Sequence, residues 1–435
     1  MIRFLFHMFL LLVIAVNAHE WVNISPFYSS SYSVRGNFIS EKEGWIIQDG
    51  YDIYHTDDGG LTWKIIYSLD DSNEFFTSLS MIDKENGWAK IMLQDQQYPY
   101  DNHVTYLKTI DGGHSWIDMT SNFPDVYEAY SLYFVNKDIG FFSCGSDSLD
   151  HSANIYKTVT GGDSWYLTQT PPAYSEYPYL VGYSVVKFYF LDENNGWAAC
   201  SAMFDAGLSL KTSDGGESWE IGIECGPPDI QDIHFSSKNH GGAVGRNSFF
   251  SFVKITDDNF ETYEYYYQSW ASDMGQMAHA ICFQDSSNVW ITGEPGIIYH
   301  SKNGGKSFSN SKEIDATLYS IQFFNGTGYV FGTNNALYRY MNSAELPENI
   351  ILYQNYPNPF NDQTKIDFYL EEDGFIEINI YNSHGQLIQN LIKKDLFHGM
   401  HSEIYNGAPL SNGIYYCSIK INGEVKRTRK MLYLK

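Results

Sequence analysis

An eight-residue motif that returns at nearly constant intervals constrains the fold of this 435-residue chain more than any other feature. Its first occurrence reads Thr-Asp-Asp-Gly-Gly-Leu-Thr-Trp, and three further full copies and two weaker copies follow. The copies begin at Thr56, Thr109, Thr158, Thr212, Thr256 and Ser301. Successive first positions are separated by 53, 49, 54, 44 and 45 residues, a period typical of β-propeller blades.

Each copy has the composition of a tight turn between two strands. Asp or Asn beside a pair of glycines tolerates the positive φ angles of such turns, and its side chain bonds nearby backbone amides. The Ser or Thr two residues after the second glycine and the final aromatic residue then pin the turn to the adjoining strands. The predicted structural residues of these turns are Asp58, Trp63, Asp111, Trp116, Trp165, Asp214, Trp219, Asp258 and Asn303.

The motif resembles the Asp-box of sialidases and related β-propellers, in which it lies between the third and fourth strands of a blade. Its role in those families is structural, so we do not expect these Asp residues to be catalytic. A second motif, Gly-Trp or a variant of it, precedes each turn and occurs once more after the last one. Its seven occurrences end at Trp45, Trp88, Phe141, Trp197, Ala243, Trp290 and Tyr329.

The combination of the two motifs most resembles the photosystem II assembly factor-like propellers. Those proteins are binding scaffolds, so the resemblance implies the fold and a binding partner, and it does not imply the photosynthetic role. Seven units predict an all-β chain whose residues 19–344 form a seven-bladed β-propeller. A six-bladed propeller with a decorated terminus is the alternative.

The last unit, from Leu318 to Tyr340, has inner strands but neither an Asp-box nor a fourth strand. The segment from His19 to Ile24 is similar to the strand that follows the first Asp-box. We therefore expect the N-terminal strand to complete the seventh blade, which would close the ring and remove its exposed edges.

The N-terminus is typical of a secretory signal peptide. Arg3 precedes an apolar run from Phe4 to Val16, and the small residue Ala18 follows. The run is shorter than the roughly 20 residues of a membrane-spanning helix. We predict a signal peptide over 1–18 and an exported, soluble mature protein.

Periodicity stops near Ala344, and residues 345–435 have a different pattern of short alternating strands separated by Gly, Asn and Pro turns. This pattern predicts a small Ig-like β-sandwich. The order Tyr356-Pro357-Asn358-Pro359, then a Ser-Asn-Gly-Ile-Tyr segment, then the closing strand resembles the type A C-terminal sorting domain of the type IX secretion system in Bacteroidota. The resemblance implies passage through the periplasm, interaction with the secretion machinery through 345–435, and a secreted or outer-membrane-surface location.

Acidity excludes several classes of partner. The formal net charge is −25, which disfavours nucleic acid and anionic membrane surfaces. Residues 346–435 hold nine basic and ten acidic side chains, whereas residues 1–345 hold 18 basic and 42 acidic ones. The charge therefore belongs to the predicted propeller, for which we expect a monomer and a basic, neutral-sugar or cationic partner.

The five cysteines are too few and too widely spaced for a disulfide framework or a zinc site. Cys144 and Cys200 each follow an aligned glycine by four residues, which predicts equivalent buried thiols. Clustered histidines at metal-binding spacing are absent, so the sequence predicts no metal and no cofactor, with calcium bound by loop carboxylates as the open alternative.

If the Asp-boxes lie at one end of the blades, the long links lie at the other end and form the predicted binding face. Tyr rings there can stack on sugars or peptides, and carboxylates can bond hydroxyl groups. The alternative is that these are solvated loop residues. The candidate binding residues are Tyr98, Tyr100, Asp101, Asp147, Asp150, His151, Tyr174, Tyr177, Tyr179 and Asp205.

We expect a non-catalytic protein that binds a glycan or a protein, and a secreted glycoside hydrolase is the alternative. A sialidase would need Arg35, Arg246 and Arg339 to converge on the substrate carboxylate. Xyloglucanase-like enzymes pair two propellers around a cleft, and this chain has room for one. A third possibility is a structural component of the cell surface.

Overall fold

The computed structural model describes residues 19–26, 33–48, 50–70, 73–93, 104–124, 129–144, 154–171, 183–202, 206–224, 229–246, 251–261, 277–342, 350–353, 355, 357–370, 373–397, 399–408 and 410–435. Apart from a 3₁₀ turn at Thr120–Asn122, the regular elements in these ranges are β-strands. None of the helical segments in these ranges is long and apolar enough to cross a membrane. Contacts divide the chain into an N-terminal unit, Asn23–Arg339, and a C-terminal unit formed by Tyr340–Lys435, with which residues up to Val22 are grouped.

Seven small antiparallel sheets follow one another along the described part of 19–342. Sheet 1 contains β2 (Arg35–Phe38), β3 (Gly44–Gln48), β4 (Asp52–Thr56) and β5 (Lys64–Ser68); sheet 2 contains β6 (Glu74–Met81), β7 (Gly87–Leu93), β8 (Val104–Thr109) and β9 (Ile117–Asp118); and sheet 3 contains β10 (Ala129–Phe134), β11 (Gly140–Cys144), β12 (Asn154–Thr158) and β13 (Tyr166–Leu167). Sheet 4 contains β14 (Tyr183–Phe190), β15 (Gly196–Ala202), β16 (Ala206–Thr212) and β17 (Glu220–Glu224); sheet 5 contains β18 (Asp229–Phe235), β19 (Gly241–Arg246) and β20 (Ser251–Thr256); and sheet 6 contains β21 (Met277–Phe283), β22 (Val289–Glu294), β23 (Ile297–Ser301) and β24 (Ser309–Glu313). Sheet 7 contains β25 (Leu318–Phe324), β26 (Thr327–Gly332), β27 (Leu337–Asn342) and the N-terminal strand β1 (His19–Asn23). Within each sheet, strands that are consecutive in the chain are hydrogen-bonded neighbours.

A repeated aromatic contact joins neighbouring sheets at five of the seven junctions among the described residues. The aromatic residue of the Gly-Trp motif, on the second strand, stacks on the ring near the end of the next sheet's first strand: Trp88 lies 3.5 Å from Phe134 between ring centroids. The same contact joins the last sheet to the first, because Tyr329 stacks on Phe38 at 3.5 Å. Further pairs are Phe141–Phe190, Trp197–Phe235 and Trp290–Phe323. The succession of contacts therefore closes on itself.

A polar contact one residue earlier on the first strand repeats in the same way. The side-chain amide of Asn37 donates to the Met81 carbonyl and accepts from the Met81 amide, at 2.7 and 2.9 Å. Between the last and first sheets, Gln322 Oε1 accepts from the Phe38 amide at 3.0 Å. In equivalent contacts, the Tyr189 hydroxyl donates to the Phe235 carbonyl, and the Phe283 amide donates to His234 Nδ1. Between sheets 4 and 5 and between sheets 7 and 1, the first strand is thus tied to its neighbour by both a ring and a hydrogen bond.

The N-terminal strand β1 pairs with β27 and forms the outer strand of sheet 7, as the sequence predicts. The Ile24 amide donates to the Leu337 carbonyl at 2.9 Å just beyond this pairing. Trp63 of the first turn donates its indole N–H to the Ile24 carbonyl at 3.2 Å. The two ends of the repeat region therefore share one sheet.

Two antiparallel sheets make up the described part of the C-terminal unit. The first has the order β28 (Ile350–Leu352), β29 (Gln363–Leu370), β32 (Gly399–Asn406), and the second has the order β31 (Leu387–Leu396), β30 (Gly374–Asn382), β33 (Gly413–Ile421), β34 (Glu424–Tyr433). Alternate residues of both sheets, such as Phe368, Ile378 and Ile419, are fully buried in one shared hydrophobic core.

Candidate functional site

The six motif turns are held by their own side chains. In the first turn, Asp58 Oδ1 accepts from the Thr56 hydroxyl at 2.9 Å and from the Thr62 amide at 2.8 Å, and Oδ2 accepts from the Thr62 hydroxyl at 2.6 Å. The side chains of Asp111, Asp214, Asp258 and Asn303 accept the equivalent hydroxyl hydrogen bond. These side chains therefore hold the turn together.

Ionisation of the turn carboxylates follows from these contacts. Hydrogen bonds to the Asp111 carboxylate, of which the one from the Ser115 hydroxyl has the largest effect, lower the pKa of Asp111 to about 2. Burial opposes ionisation of Asp214, but hydrogen bonds from Ser218 still lower its pKa to about 2. A carboxylate that stays ionised this far below neutrality is poorly matched to general acid catalysis.

In the second and fourth turns, the final aromatic residue packs against the preceding sheet. Trp116 lies edge-on to Tyr67 of sheet 1, and Trp219 lies edge-on to Phe141 of sheet 3. Trp165 likewise lies edge-on to Phe134 of its own sheet, at 6.0 Å. These rings are therefore packing residues between and within sheets.

All ten predicted binding residues lie outside the described residues: Tyr98, Tyr100, Asp101, Asp147, Asp150, His151, Tyr174, Tyr177, Tyr179 and Asp205. At the end of the sheets opposite the motif turns, the structure describes the beginning of each first strand. The motif turns follow the third strands, and antiparallel pairing puts the beginnings of the first strands at the opposite end.

A cavity of about 340 Å³ lies at that end, where sheets 7, 1 and 2 meet. Its lining residues are Arg35, Gly36, Thr77, Tyr319, Ser320 and Phe331. Arg35 is exposed, and its Nη1 donates to the Thr77 carbonyl at 2.7 Å. The Tyr319 hydroxyl donates to the Val34 carbonyl at 3.3 Å. We call the cavity lined by these six residues the seam cavity.

Bulges near the beginning of the first strands shape this cavity. The pairing of β6 with β7 shifts between Phe76 and Ser78, and that of β25 with β26 shifts between Leu318 and Ser320. Thr77 and Tyr319 are the extra residues, and a bulge re-aims its side chain. From the sequence, Arg35 is a candidate only as one of the three arginines of a sialidase-type site, and Tyr319 is not a candidate, because bulges leave no clear signal in the sequence.

Sheets 4, 5 and 6 are joined by the buried carboxylate of Asp232, which is paired with the partly exposed Lys187. Lys187 Nζ lies 2.8 Å from Asp232 Oδ1, and Asp232 is buried. The same carboxylate accepts from the Ile281 amide at 3.0 Å, on the next sheet. Because hydrogen bonds and an ion pair occupy both of its oxygens, this carboxylate joins strands.

His234 and Cys282 form the closest thiol–imidazole pair among the described contacts, with Sγ 3.8 Å from Nε2. His234 Nδ1 accepts from the Phe283 amide, so its proton is on Nε2 and the ring has no free nitrogen to deprotonate the thiol. Burial, with Lys187 nearby, lowers the pKa of His234 to about 3, and burial raises the pKa of Cys282 to about 12. This pair is not an activated nucleophile.

The three arginines of the N-terminal unit contact three different places. Arg35 bonds Thr77, Arg246 Nη1 donates to Met277 Sδ, and the buried Arg339 lies beside Gly59 of the first turn. Arg339 is thus at the turn end of its sheet, whereas Arg35 is at the other end. A shared carboxylate site for the three arginines is not formed.

The four described cysteines, Cys144, Cys200, Cys282 and Cys417, are buried, and none forms a disulfide. This agrees with the prediction of buried thiols; Cys225 lies outside the described residues. No group of three or more His, Cys, Asp or Glu side chains placed to hold a metal ion occurs within the described ranges.

The C-terminal unit has a second depression, about 410 Å³ in volume, on the sheet that contains β30, β33 and β34. Tyr381, Tyr416 and Val425 contribute its apolar part, and Tyr416 and Val425 are exposed. The adjoining strand β34 carries the sequence Lys-Arg-Thr-Arg-Lys at 426–430. The sheet thus carries the exposed ring of Tyr416 and a basic strand.

Family models match both units of the chain. The model of a secretion system C-terminal sorting domain matches residues 354–433, and the model of photosynthesis system II assembly factor YCF48 matches 226–312 and 252–341. A YCF48-like BNR domain and a type IX sorting domain are both found in this chain. The sorting domain indicates type IX secretion and export to the cell surface or beyond it.

Individual relatives and solved structures agree with the family models. Photosystem II assembly protein Ycf48 of Synechococcus sp. (strain JA-2-3B'a(2-13)) is 23% identical over 323 residues, which are 69% of this chain and 82% of that protein. The structure of a YCF48 bound to a D1 peptide has a TM-score of 0.54 at 18% identity and covers 75% of this chain and 97% of its own. An ancestral GH74 enzyme has a TM-score of 0.52 at 11% identity, with 95% of this chain and 63% of the enzyme covered. At these identities the structures establish a propeller-like fold.

Proposed function

We propose that this protein is an exported binding protein whose N-terminal unit is a seven-bladed β-propeller that recognises a peptide or protein partner at the end opposite the motif turns. The observation that carries the proposal is the pairing of a closed succession of sheets with a type IX sorting domain. The ionisable groups described above hold turns and strands together, so we place the proposed binding surface at the end of the sheets opposite the motif turns.

Seven blades are supported by the seven sheets in the described residues and by the stacking of Tyr329 on Phe38. The turn geometry supports assigning the motif turns as Asp-boxes. The C-terminal unit is proposed to be the Ig-like sandwich of the sorting domain, over 345–435, with the exposed rings and the basic strand β34 facing the secretion machinery. Residues 1–18 are proposed to be the signal peptide.

A peptide is favoured over a glycan because a YCF48 structure of similar fold holds a D1 peptide. Nothing of the photosynthetic partner is carried over. The glycoside hydrolase alternative rests on the likeness to a GH74 enzyme, which is a likeness of fold at 11% identity. The arginines of the N-terminal unit make separate contacts, which argues against a sialidase.

Two measurements test the proposal in its native secreting host. Deletion of 345–435 is expected to leave the protein in the periplasm, whereas the intact chain appears at the surface or in the medium. Normal extracellular appearance of the truncated chain would refute the sorting assignment. The purified protein is expected to bind discrete members of a peptide array and to release no sugar from xyloglucan or sialosides; sugar release would favour the hydrolase instead.

A further inference from the structure

We propose that the seam cavity binds a carboxylate group of a peptide, with Arg35 as the residue that recognises the negative charge. The inference deepens the proposed function and rests on it, because it names the chemistry of one site within the proposed binding face. Three sheets contribute to the cavity, so the site exists only where the end of the repeat region meets its beginning.

Arg35 is anchored on one side and open on the other. Its Nη1 donates to the Thr77 carbonyl at 2.7 Å, which fixes the plane of the guanidinium group, and the side chain remains exposed. A guanidinium group has five N–H donors in a planar fork that matches both oxygens of a carboxylate. The Thr77 carbonyl and the neighbouring Tyr319 hydroxyl, which also interacts with Arg35, therefore orient the group, and its remaining N–H donors are left for a ligand.

The other two arginines of this unit are used differently. Arg339 is 7% exposed and lies beside a motif turn, and Arg246 contacts Met277. Residues 1–345 carry 42 acidic and 18 basic side chains, so most of this unit repels anions. An exposed arginine in a cavity of such a unit attracts a carboxylate only at short range, because the surrounding charge is negative and salt screens longer-range attraction.

The remaining walls suit the body of an amino-acid residue. Tyr319 and Phe331 contribute rings, and Thr77 and Ser320 contribute hydroxyl groups. A volume of about 340 Å³ is near the lower limit for ligand sites, which is enough for one residue and too small for an oligosaccharide. Burial raises the pKa of the Tyr319 phenol, so its hydroxyl stays a neutral donor and keeps its bond to Val34.

A single guanidinium group beside two rings favours an apolar residue with a carboxylate over a sugar. A sugar presents several hydroxyl groups, and each needs a polar partner when it is buried. A peptide that ends in an apolar residue needs one charged contact and an apolar wall. The favoured ligand is therefore a C-terminal carboxylate on an apolar residue.

The test compares matched small probes on the full exported protein. N-acetyl-L-phenylalanine carries the carboxylate, N-acetyl-L-phenylalaninamide lacks the charge, and D-glucuronate is an acidic sugar. Titration followed by ligand-detected NMR is expected to show the acid binding about tenfold more tightly than the amide, because one charge-assisted hydrogen-bonded pair is removed. The variant Arg35→Gln is expected to lose this tenfold preference, and the control Arg246→Gln is expected to stay within about twofold of the wild type.

Arg35→Lys keeps the charge without the fork and is expected to bind the acid with an intermediate affinity. If Arg35→Gln does not fold, the comparison of acid with amide on the wild type still decides whether the charge matters. Equal binding of acid and amide, or no binding of either, overturns the proposal. Tighter binding of glucuronate than of the acid, lost in Arg35→Gln, overturns the peptide assignment in favour of an acidic sugar.

The peptide array separates this inference from the proposed function. If wild-type array signals persist with unchanged affinity in Arg35→Gln, the seam cavity is not the site and the proposed function stands. If the array gives no signal while N-acetyl-L-phenylalanine binds in an Arg35-dependent way, the cavity is a carboxylate site and the proposed function is wrong.

Discussion

The two units of the chain bury their apolar residues in different ways. In the C-terminal unit, one cluster collects core residues from both sheets, including Phe368, Ile378 and Ile419. In the N-terminal unit, several smaller clusters each span neighbouring sheets; one of them contains Phe141 of sheet 3 and Phe188 of sheet 4. The N-terminal unit therefore consists of interfaces between repeats, and the C-terminal unit has a single core.

This difference predicts how many strands lose stability when one core side chain is truncated. A cavity in a single core weakens every strand that borders it, so the whole unit responds. A cavity between two sheets weakens that interface, while the other interfaces keep their rings and hydrogen bonds. Four substitutions test this difference between the units, and they follow in order of decreasing expected change in stability.

Phe368→Ala is expected to have the largest effect. Phe368 is fully buried in the shared core, and such truncations cost about 3–5 kcal/mol. A small domain has only about 5–15 kcal/mol to lose. Hydrogen exchange measured by mass spectrometry should show lost protection throughout 350–435 and unchanged protection in 23–339. Loss confined to β29 would contradict the single-core description.

Phe188→Ala is the matched change in the N-terminal unit. Phe188 is 2% exposed and lies 5.8 Å from Phe141 and 5.9 Å from Trp219 between ring centroids. The expected cost is about 3 kcal/mol, with exchange rising in sheets 3 and 4 and unchanged in sheets 6 and 7. Equal loss of protection in all sheets would mean that the unit unfolds as one piece.

Asp111→Asn tests the charge in the motif turns, which the C-terminal unit lacks. The pKa of Asp111 is lowered to about 2 in the folded protein, against an ordinary value of 3.8. A lowered folded pKa means that the stabilisation is complete above pH 4 and is lost as the pH falls toward 2. Because the site is exposed, the difference should be about 1 kcal/mol or less.

Urea unfolding of wild type and Asp111→Asn at pH 7, 4, 3 and 2 measures this difference. The gap between the two proteins is expected to be constant from pH 7 to about pH 4 and to shrink below it. A gap that stays the same at pH 2 would show that the carboxylate charge contributes nothing, and that shape alone holds the turn.

Thr160→Asp is the smallest and the only stabilising change. The third motif turn has Thr160 where the other turns have Asp or, in the sixth, Asn. The Thr160 hydroxyl accepts from the Ser164 amide and contacts the Ser164 hydroxyl, both at 3.1 Å. A carboxylate offers a second oxygen and shorter bonds, so a gain of about 0.5 kcal/mol is expected at pH 7. Thr160→Asn is the uncharged control; an equal gain there would assign the effect to geometry.

Local chemistry explains which features the sequence predicts. The motif turns depend on residues within eight positions of one another, and the glycines of the first turn have the expected positive φ of 76° and 88°. The pairing of β1 with β27 followed from the absence of a fourth strand in the last unit. The Gly-Trp motif was visible as a pattern, and its role in stacking on the next sheet needed the structure.

The seam cavity could not be predicted in the same way. Val34 and Tyr319, which its contacts join, are 285 residues apart, and only the meeting of the last and first sheets brings them together. The bulges that place Thr77 and Tyr319 in the lining of the cavity depend on pairing register, which residue types do not reveal. The candidate loops were chosen by their Tyr and Asp content, and they remain predictions.

The pairing of β1 with β27 has a consequence for incomplete chains. A product truncated before Leu337 has no partner for its first strand, so it keeps an unpaired edge that proteases and aggregation can reach. A complete chain covers that edge with its own last repeat. The edge of β1 is therefore protected from proteases and aggregation only after the whole repeat region has been made and delivered to one compartment.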